Sequence, residues 1–486
     1  MLKKISNGCV HIVQRYLPDP FIFCIILTIV VFIAAIPAAG ATPLQVVGFW
    51  GTSIWSLLAF SMQMALVLVL GTAMATAPPV KRLLDKIAGV AKTPFSAIVL
   101  VTVVGTVASW LNWGFGLVVG ALLAKSIAKK VKGVDYRLLI ASAYSGFVVW
   151  HAGLSGSIPL TITEVTEAVT AATGGALTES IGMDRTVLSP WNLIACLIIL
   201  ILMPLLNAKM HPAANEVVTV DPKLLVEEEV TVRKASTPAE KLEDCKPLSW
   251  LVVIIGVVYL VQYFAAAGNP LNALNLNIVN LIFLVLGVLL NGTPLNYVKA
   301  VNDAVKGAGG IVLQFPFYAG IMGIMTGAVT EGGPSLAGVI SNFFVAISND
   351  VTFPLFTFLS AGIVNFFVPS GGGQWAVQAP IVLPATIKMG LDPAVSCMAI
   401  AWGDAWTNLL QPFWALPALG IAGLGARDIM GFCVVDLILS GIIVCVPFSK
   451  TPSTRKIRLT MFRFSAFRGL PAAAKWVLTL QFPVWL

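Results

Sequence analysis

Charge is what this sequence has least of. Only 11% of its 486 residues are Asp, Glu, Lys or Arg, against about 25% in an ordinary soluble domain. A water-facing surface cannot be built from that supply, which excludes a soluble enzyme and a nucleic-acid-binding protein. Histidine is scarce too, with three residues scattered along the chain. They offer no nucleophile–base pair and no ligand cluster, so no catalytic centre, metal site or cofactor is expected. The seven cysteines, at positions 9, 24, 196, 245, 397, 433 and 445, include no CxxC pair and no zinc spacing. Most lie in apolar runs and read as small hydrophobes. Acid disappears altogether after Pro447, where Lys450, Arg455, Lys456, Arg458, Arg463, Arg468 and Lys475 stand alone. Without those seven, 23 basic and 22 acidic residues remain. The net charge of +8 therefore belongs to the tail and says nothing about an acidic partner.

What the chain has is apolar length. Hydrophobic residues make up 58% of it, and runs of about twenty recur, enough to cross a hydrocarbon core of about 30 Å. The expected fold is an all-α polytopic membrane protein, with the lipid bilayer as its first partner. Polar, basic residues 1–20 lead into an apolar run at 21–40, too long for a cleaved signal core and read as a retained first span with a cytoplasmic N-terminus. A second span is expected at 52–76. Residues 94–127 are interrupted at 112–116 and flanked by lysines on both sides, which keeps both ends in the cytoplasm. That predicts a re-entrant hairpin rather than two crossings. A broken crossing follows at 136–163, an acidic outer loop at 164–184, and a return span at 191–206.

Residues 207–247 read as a solvated cytoplasmic linker. Beyond it, spans are expected at 248–265, 275–290 and 309–329, a hairpin at 352–388 broken at 368–374, a broken crossing at 394–424, and a last span at 429–446. Counting from a cytoplasmic N-terminus gives about nine transmembrane helices plus two re-entrant hairpins in two inverted repeats. The resulting divisions are 1–206, the linker 207–247, 248–448 and a basic tail at 449–486. Tip and break are about 40 residues apart in the first repeat (Gly114 to Leu154) and about 36 in the second (Gly372 to Asn408). Secondary transporters share this plan, with substrate held at the midplane between interrupted helices.

Backbone without helical hydrogen bonds is tolerated at membrane depth only inside protein or beside a cavity. The second arm of each hairpin starts at a tip and presents free N–H groups, which hold a carboxylate without an arginine. Neither the tips nor the breaks contain one. Expected substrate contacts are Asn112, Gly114 and Gly116 at the first tip, Ser155 and Ser157 at the first break, Ser370, Gly372, Gly373 and Gln374 at the second tip, and Asn408 at the second break. Glycines also serve close helix packing, and Asn112 and Gln374 also suit helix caps. Asp404, an acid deep in a span, is the expected carrier of a coupling ion; Thr407 and His151 are further candidates, and a histidine in a span also suits a neutral, hydrogen-bonded structural role. Trp113, Phe115, Trp150, Trp375 and Trp414 flank the breaks and suit a short alkyl chain or an interfacial anchor. Asp436 has no account at this level.

Several segments resemble the bacterial short-chain fatty acid transporter family. They are Tyr16-Leu17-Pro18-Asp19-Pro20, Asn112-Trp113-Gly114-Phe115-Gly116-Leu117-Val118-Val119-Gly120, Gln314-Phe315-Pro316-Phe317-Tyr318-Ala319-Gly320-Ile321, Val368-Pro369-Ser370-Gly371-Gly372-Gly373 and Gln411-Pro412-Phe413-Trp414-Ala415-Leu416-Pro417-Ala418-Leu419. The likeness runs from residue 10 to 446. It implies a multi-pass carrier of the bacterial inner membrane for short-chain fatty acid anions such as butyrate or acetoacetate; read with the interrupted helices, the expectation is a secondary active carrier coupled to H⁺ or Na⁺, with a homodimer admitted. It also implies kinship with the ion-transporter superfamily of dicarboxylate and citrate carriers. Many of those carry Ser-Asn-Thr at both tips, and this chain does not, so their sodium sites are not carried over. The tail after Pro447 departs from the family and reads as an altered frame or a cloning product. Carriage of another anion on the same fold, a dicarboxylate or an amino acid, and an uncoupled channel stay open.

Overall fold

A computed structural model describes residues 2–448 except 17–18, 164, 166–168, 171–172, 174, 226–235, 268–272, 274–275 and 331. The basic tail lies outside the described residues. Every regular element among the described residues is helical. Many helices start the same way, with a polar side chain capping the first turn and proline next. Asp19-Pro20, Thr42-Pro43, Thr93-Pro94, Asp392-Pro393 and Gln411-Pro412 all follow this rule. The cap accepts a first-turn N–H, and proline has none to leave unpaired.

Among the described residues, seven helices are long and apolar enough to cross a membrane: Phe21–Ala39, Pro94–Leu111, Tyr136–Thr161, Pro190–Met210, Pro238–Ala266, Pro294–Thr326 and Ala426–Phe448. Ser61–Met74 and Pro78–Ala88, bent by 83° at their junction, would make an eighth. The protein is a multi-pass α-helical membrane protein. Helix Lys246–Ala266 turns Trp250, Leu251, Ile254, Ile255 and Val261 outward, a surface that suits lipid and not water. The run expected at 52–76 is divided by a turn between Pro43–Ser53 and Leu58–Ala75. Nor is the stretch after Met210 simply solvated. Val218 N donates to Asp135 Oδ2 at 2.9 Å, and Leu224 packs against Gly423. The Asp135 carboxylate is fully buried and needs donors, and the linker supplies one.

Two units share one layout. Thr93 precedes Pro94–Leu111, Asn112 precedes Trp113–Lys130, and Asp135 precedes Tyr136–Ser145. In the second half Thr352 precedes Phe353–Phe367, Ser370 precedes Gly371–Lys388, and Asp392 precedes Pro393–Thr407. The two tips match in backbone as well. Asn112 (φ −154°, ψ 123°) accepts from Phe115 N, and Ser370 (φ −148°, ψ 118°) accepts from Gly373 N. Glycines recur 41 residues apart where first arm meets broken helix, at Gly105 and Gly146 and at Gly362 and Gly403. A Cβ on Gly146 would stand 2.4 Å from Thr106 N, and one on Gly403 would stand 2.4 Å from the Phe358 carbonyl. Only glycine allows these approaches. Past the breaks, Ser157–Thr161 packs on Gly371–Lys388 while Pro412–Ala422 packs on Trp113–Lys130. Each broken helix thus ends against the other unit's hairpin, which brings both tips and both breaks to the centre.

Candidate substrate and coupling site

The first broken helix leaves α-helical geometry at Gly146, runs as a tight 3-10 turn to Ala152, and resumes at Ser157–Thr161. The second stops at Thr407 and resumes at Pro412. Between them lies one fully buried contact, His151 Nδ1 to Asp404 Oδ2 at 2.7 Å, joining residues 253 positions apart. The proton on this pair can be assigned from its surroundings. Ile158 N donates to His151 Nε2 at 3.0 Å, so that nitrogen carries no hydrogen. The ring hydrogen therefore sits on Nδ1 and is donated to Asp404. Ser157 Oγ stands 3.0 Å from the same Nε2. Asp404 Oδ1 is buried and meets no hydrogen-bond partner within bonding distance among the described residues, which is costly for a carboxylate and suits one that takes and releases a cation or proton.

Asn365, which the sequence reading passed over, holds the second break together. Its Nδ2 lies 2.9 Å from Asp404 O, 2.9 Å from Thr407 Oγ1 and 2.7 Å from Asn408 Oδ1. Thr407 and Asn408 are thus fixed beside Asp404, four residues apart at most on one turn. An amide in the apolar run Phe353–Phe367 was the available signal. Tyr144 Oη donates to Asn408 O at 2.6 Å and ties this break to the first broken helix.

The two tips lie differently. At the second, Gly371 abuts the pair: a Cβ there would stand 2.2 Å from Ser157 Oγ and 2.8 Å from His151 Cε1. Gly372 has nothing within 4 Å of the same point, whereas Gly373 faces Met322 and Val368. Ser370 acts as a cap, and Gln374 points into its own hairpin, donating to Ala361 O and to Gln378 Oε1. At the first tip, Asn112 caps Phe115 N, Trp113 N donates to Ser155 Oγ at 3.0 Å, and Gly116 is pressed on Ser109. Gly114 lies against Val67. The N–H groups of Gly114, Gly371 and Gly372, in first turns, make no hydrogen bond among the described residues.

Aromatic rings connect these groups. Trp113, Trp150 and Trp414 meet at centroid distances of 5.2–6.1 Å, and Trp150 stacks on His151 at 4.1 Å. Phe115 turns instead toward Phe283, and Trp375 joins a separate core with Ile158 and Ala379. The arrangement offers unpaired N–H groups for an anion, a proton-bearing acid–imidazole pair, and an apolar wall.

Comparison with known proteins fits this chemistry. The profile of the family described as "Short chain fatty acid transporter" matches residues 1–450. An Escherichia coli K12 protein named "Putative short-chain fatty acid transporter" is 44% identical over 453 residues, 92% of this chain and 99% of its own. A Haemophilus influenzae protein of the same name is 43% identical over 454 residues, 90% of this chain and 98% of its own. A second Escherichia coli K12 protein, "Putative basic amino acid antiporter YfcC", is 24% identical over 196 residues, 37% of this chain and 38% of its own. The chain belongs to the short-chain fatty acid transporter family.

Proposed function

We propose that this protein is a secondary active carrier that takes up short-chain monocarboxylates of the butyrate or acetoacetate type across the bacterial cytoplasmic membrane. The observation that carries the reading is the buried His151–Asp404 contact, because it bridges the two broken helices and abuts the second tip. The substrate carboxylate is held by first-turn N–H groups of the tips, Gly371 and Gly372 foremost, and its alkyl tail lies along Trp113, Trp150 and Trp414. Asp404 and His151 carry the coupling ion. A hydrogen-bonded acid–imidazole pair is the chemistry that carries a proton, so H⁺ is favoured over Na⁺. An empty, charged Asp404 resists reorientation through the low-dielectric centre, and this links ion movement to substrate movement. The recurring caps and glycines support two repeats, and the lysines flanking the first hairpin support an arrangement with the N-terminus cytoplasmic and the second repeat inverted.

The amino acid reading draws on the partial likeness to the antiporter. It would set the amino group on Asp404, the carboxylate that the monocarboxylate reading gives to the coupling ion. Counterflow of labelled butyrate in proteoliposomes decides between the two. Propionate is expected to compete and lysine or succinate not to, and a pH gradient, varied separately from a Na⁺ gradient, is expected to drive accumulation. Absence of butyrate counterflow, or competition by lysine, would overturn the reading. For topology, a cysteine introduced at position 175 should react with an impermeant reagent from outside, and one at position 225 should not.

A further inference from the structure

Outside the central site, the most distinctive feature is a groove of about 580 Å³ lined by Arg82, Asp85, Lys86, Gly89, Val90 and Lys130. It lies where helix Pro78–Ala88 packs on the last turn of Trp113–Lys130. Three cations against one acid give it a positive balance. Arg82, Lys86 and Lys130 are all exposed. Lys130 Nζ donates to the Asp85 carbonyl, which fixes the ammonium at the C-terminal turn of the short helix.

The setting says what kind of anion fits. The short helix departs from Ser61–Met74 at 83°, so it runs roughly across the direction of the span. It buries Leu84 and Ala88 against the protein. Leu83 and Val90, beside the cations, are 56% and 71% exposed, and Phe95 just beyond is 52% exposed. Large apolar side chains left bare next to a cationic groove ask for a ligand with a charged head and a hydrocarbon body. A small phosphate ion would satisfy the cations and leave that apolar surface uncovered.

We propose that this groove binds the phosphate of an anionic phospholipid, with acyl chains along Leu83, Val90 and Phe95. Such basic sites at a membrane surface recognise anionic headgroups. The site is separate from the carboxylate tips and does not depend on the transport reading. The test is native mass spectrometry of the whole protein in detergent, titrated with phosphatidylglycerol or phosphatidylcholine. Phosphatidylglycerol is expected to remain bound under conditions that strip phosphatidylcholine. Arg82→Gln with Lys86→Gln should weaken its retention by about fivefold for each cation removed. That pair avoids the Lys130 contact, and the midpoint of thermal unfolding in the same detergent reports folding independently of any transport assay. Equal retention of both lipids, or no effect of the paired substitution, overturns the proposal. Displacement of the lipid by millimolar inorganic phosphate would show a free-phosphate site instead and would also overturn it.

Discussion

The two tips are built on one pattern and finished differently. Both have a capping side chain in extended backbone and an 18-residue second arm. The first tip is closed by backbone-to-backbone contact. Leu154 N donates to Trp110 O at 2.8 Å, and Gly153 sits so near Trp110 that a Cβ would stand 2.2 Å from its carbonyl oxygen. Gly116 is equally tight on Ser109 N and Cα. The second tip is bordered by side chains: Ser157 and His151 against Gly371, Met322 against Gly373, and open space at Gly372. Its hairpin arms are bridged by a polar chain in which Gln374 reaches Gln378, and Gln378 reaches Ser341 and Ser360. Backbone contacts do not yield, whereas side chains change rotamer at low cost. The first tip is therefore a fixed wall. The second is the adjustable face, and the titratable pair lies beside it.

The largest effect belongs to that adjustable face. Asp404→Asn keeps the size of the side chain and removes the charge. Gradient-driven accumulation of butyrate should be abolished, while counterflow, which needs no net ion movement, persists. Continued accumulation under a pH gradient would make Asp404 structural and move attention to His151.

Next comes the fixed wall. In Gly116→Ala the new methyl group meets Ser109 backbone that has nowhere to go, so overpacking should cost about 1–3 kcal/mol. The measurement is the midpoint of thermal unfolding in detergent, which should fall clearly below that of the parent protein. An unchanged midpoint would mean that the first tip adjusts as readily as the second. A smaller loss is expected for Ser155→Ala, which leaves the buried Trp113 N–H unpaired at a cost of about 1–3 kcal/mol, partly relieved if water enters.

How much of this contrast could be read beforehand follows from its physics. Interruptions in apolar runs stand out because glycine, proline and polar residues are costly there, so interruptions were expected at 112–116, 151–157, 368–374, 403–408 and 411–412; the first broken helix leaves α-helical geometry earlier, at Gly146, and the second only after Thr407. Which tip is closed was not legible, because closure depends on what faces each glycine. Gly116 and Gly372 look alike in sequence, and only the fold sets Ser109 against one and nothing against the other. The His151–Asp404 contact is likewise a product of long-range packing, although both residues were legible as isolated oddities. Tyr144 was missed because nothing local marks a residue whose partner lies far along the chain, Asn365 was passed over although it is an amide in an apolar run, and Gly371 was read as part of the second tip without being singled out as a contact. Asp436, fully buried with neither carboxylate oxygen hydrogen-bonded among the described residues, has no explanation in the structure.

The smallest effect on the fold, and the sharpest on the comparison, should come from Gly372→Ala. The position is in the first turn of Gly371–Lys388 and has no positive φ, so alanine fits its backbone. A Cβ there meets nothing within 4 Å. Replacing glycine at a compatible position shrinks the unfolded ensemble, so stability should stay equal or rise by about 0.4–1 kcal/mol. Affinity should behave in the opposite sense. If the Gly371 and Gly372 N–H groups hold the substrate carboxylate, a methyl group in the open space beside them stands where the carboxylate has to approach. Butyrate binding, followed by isothermal titration or by the concentration dependence of counterflow, should weaken while the unfolding midpoint holds. Unaltered affinity in this well-folded variant would remove the second tip from substrate binding, and the free Gly114 N–H at the first tip would then be the place to look.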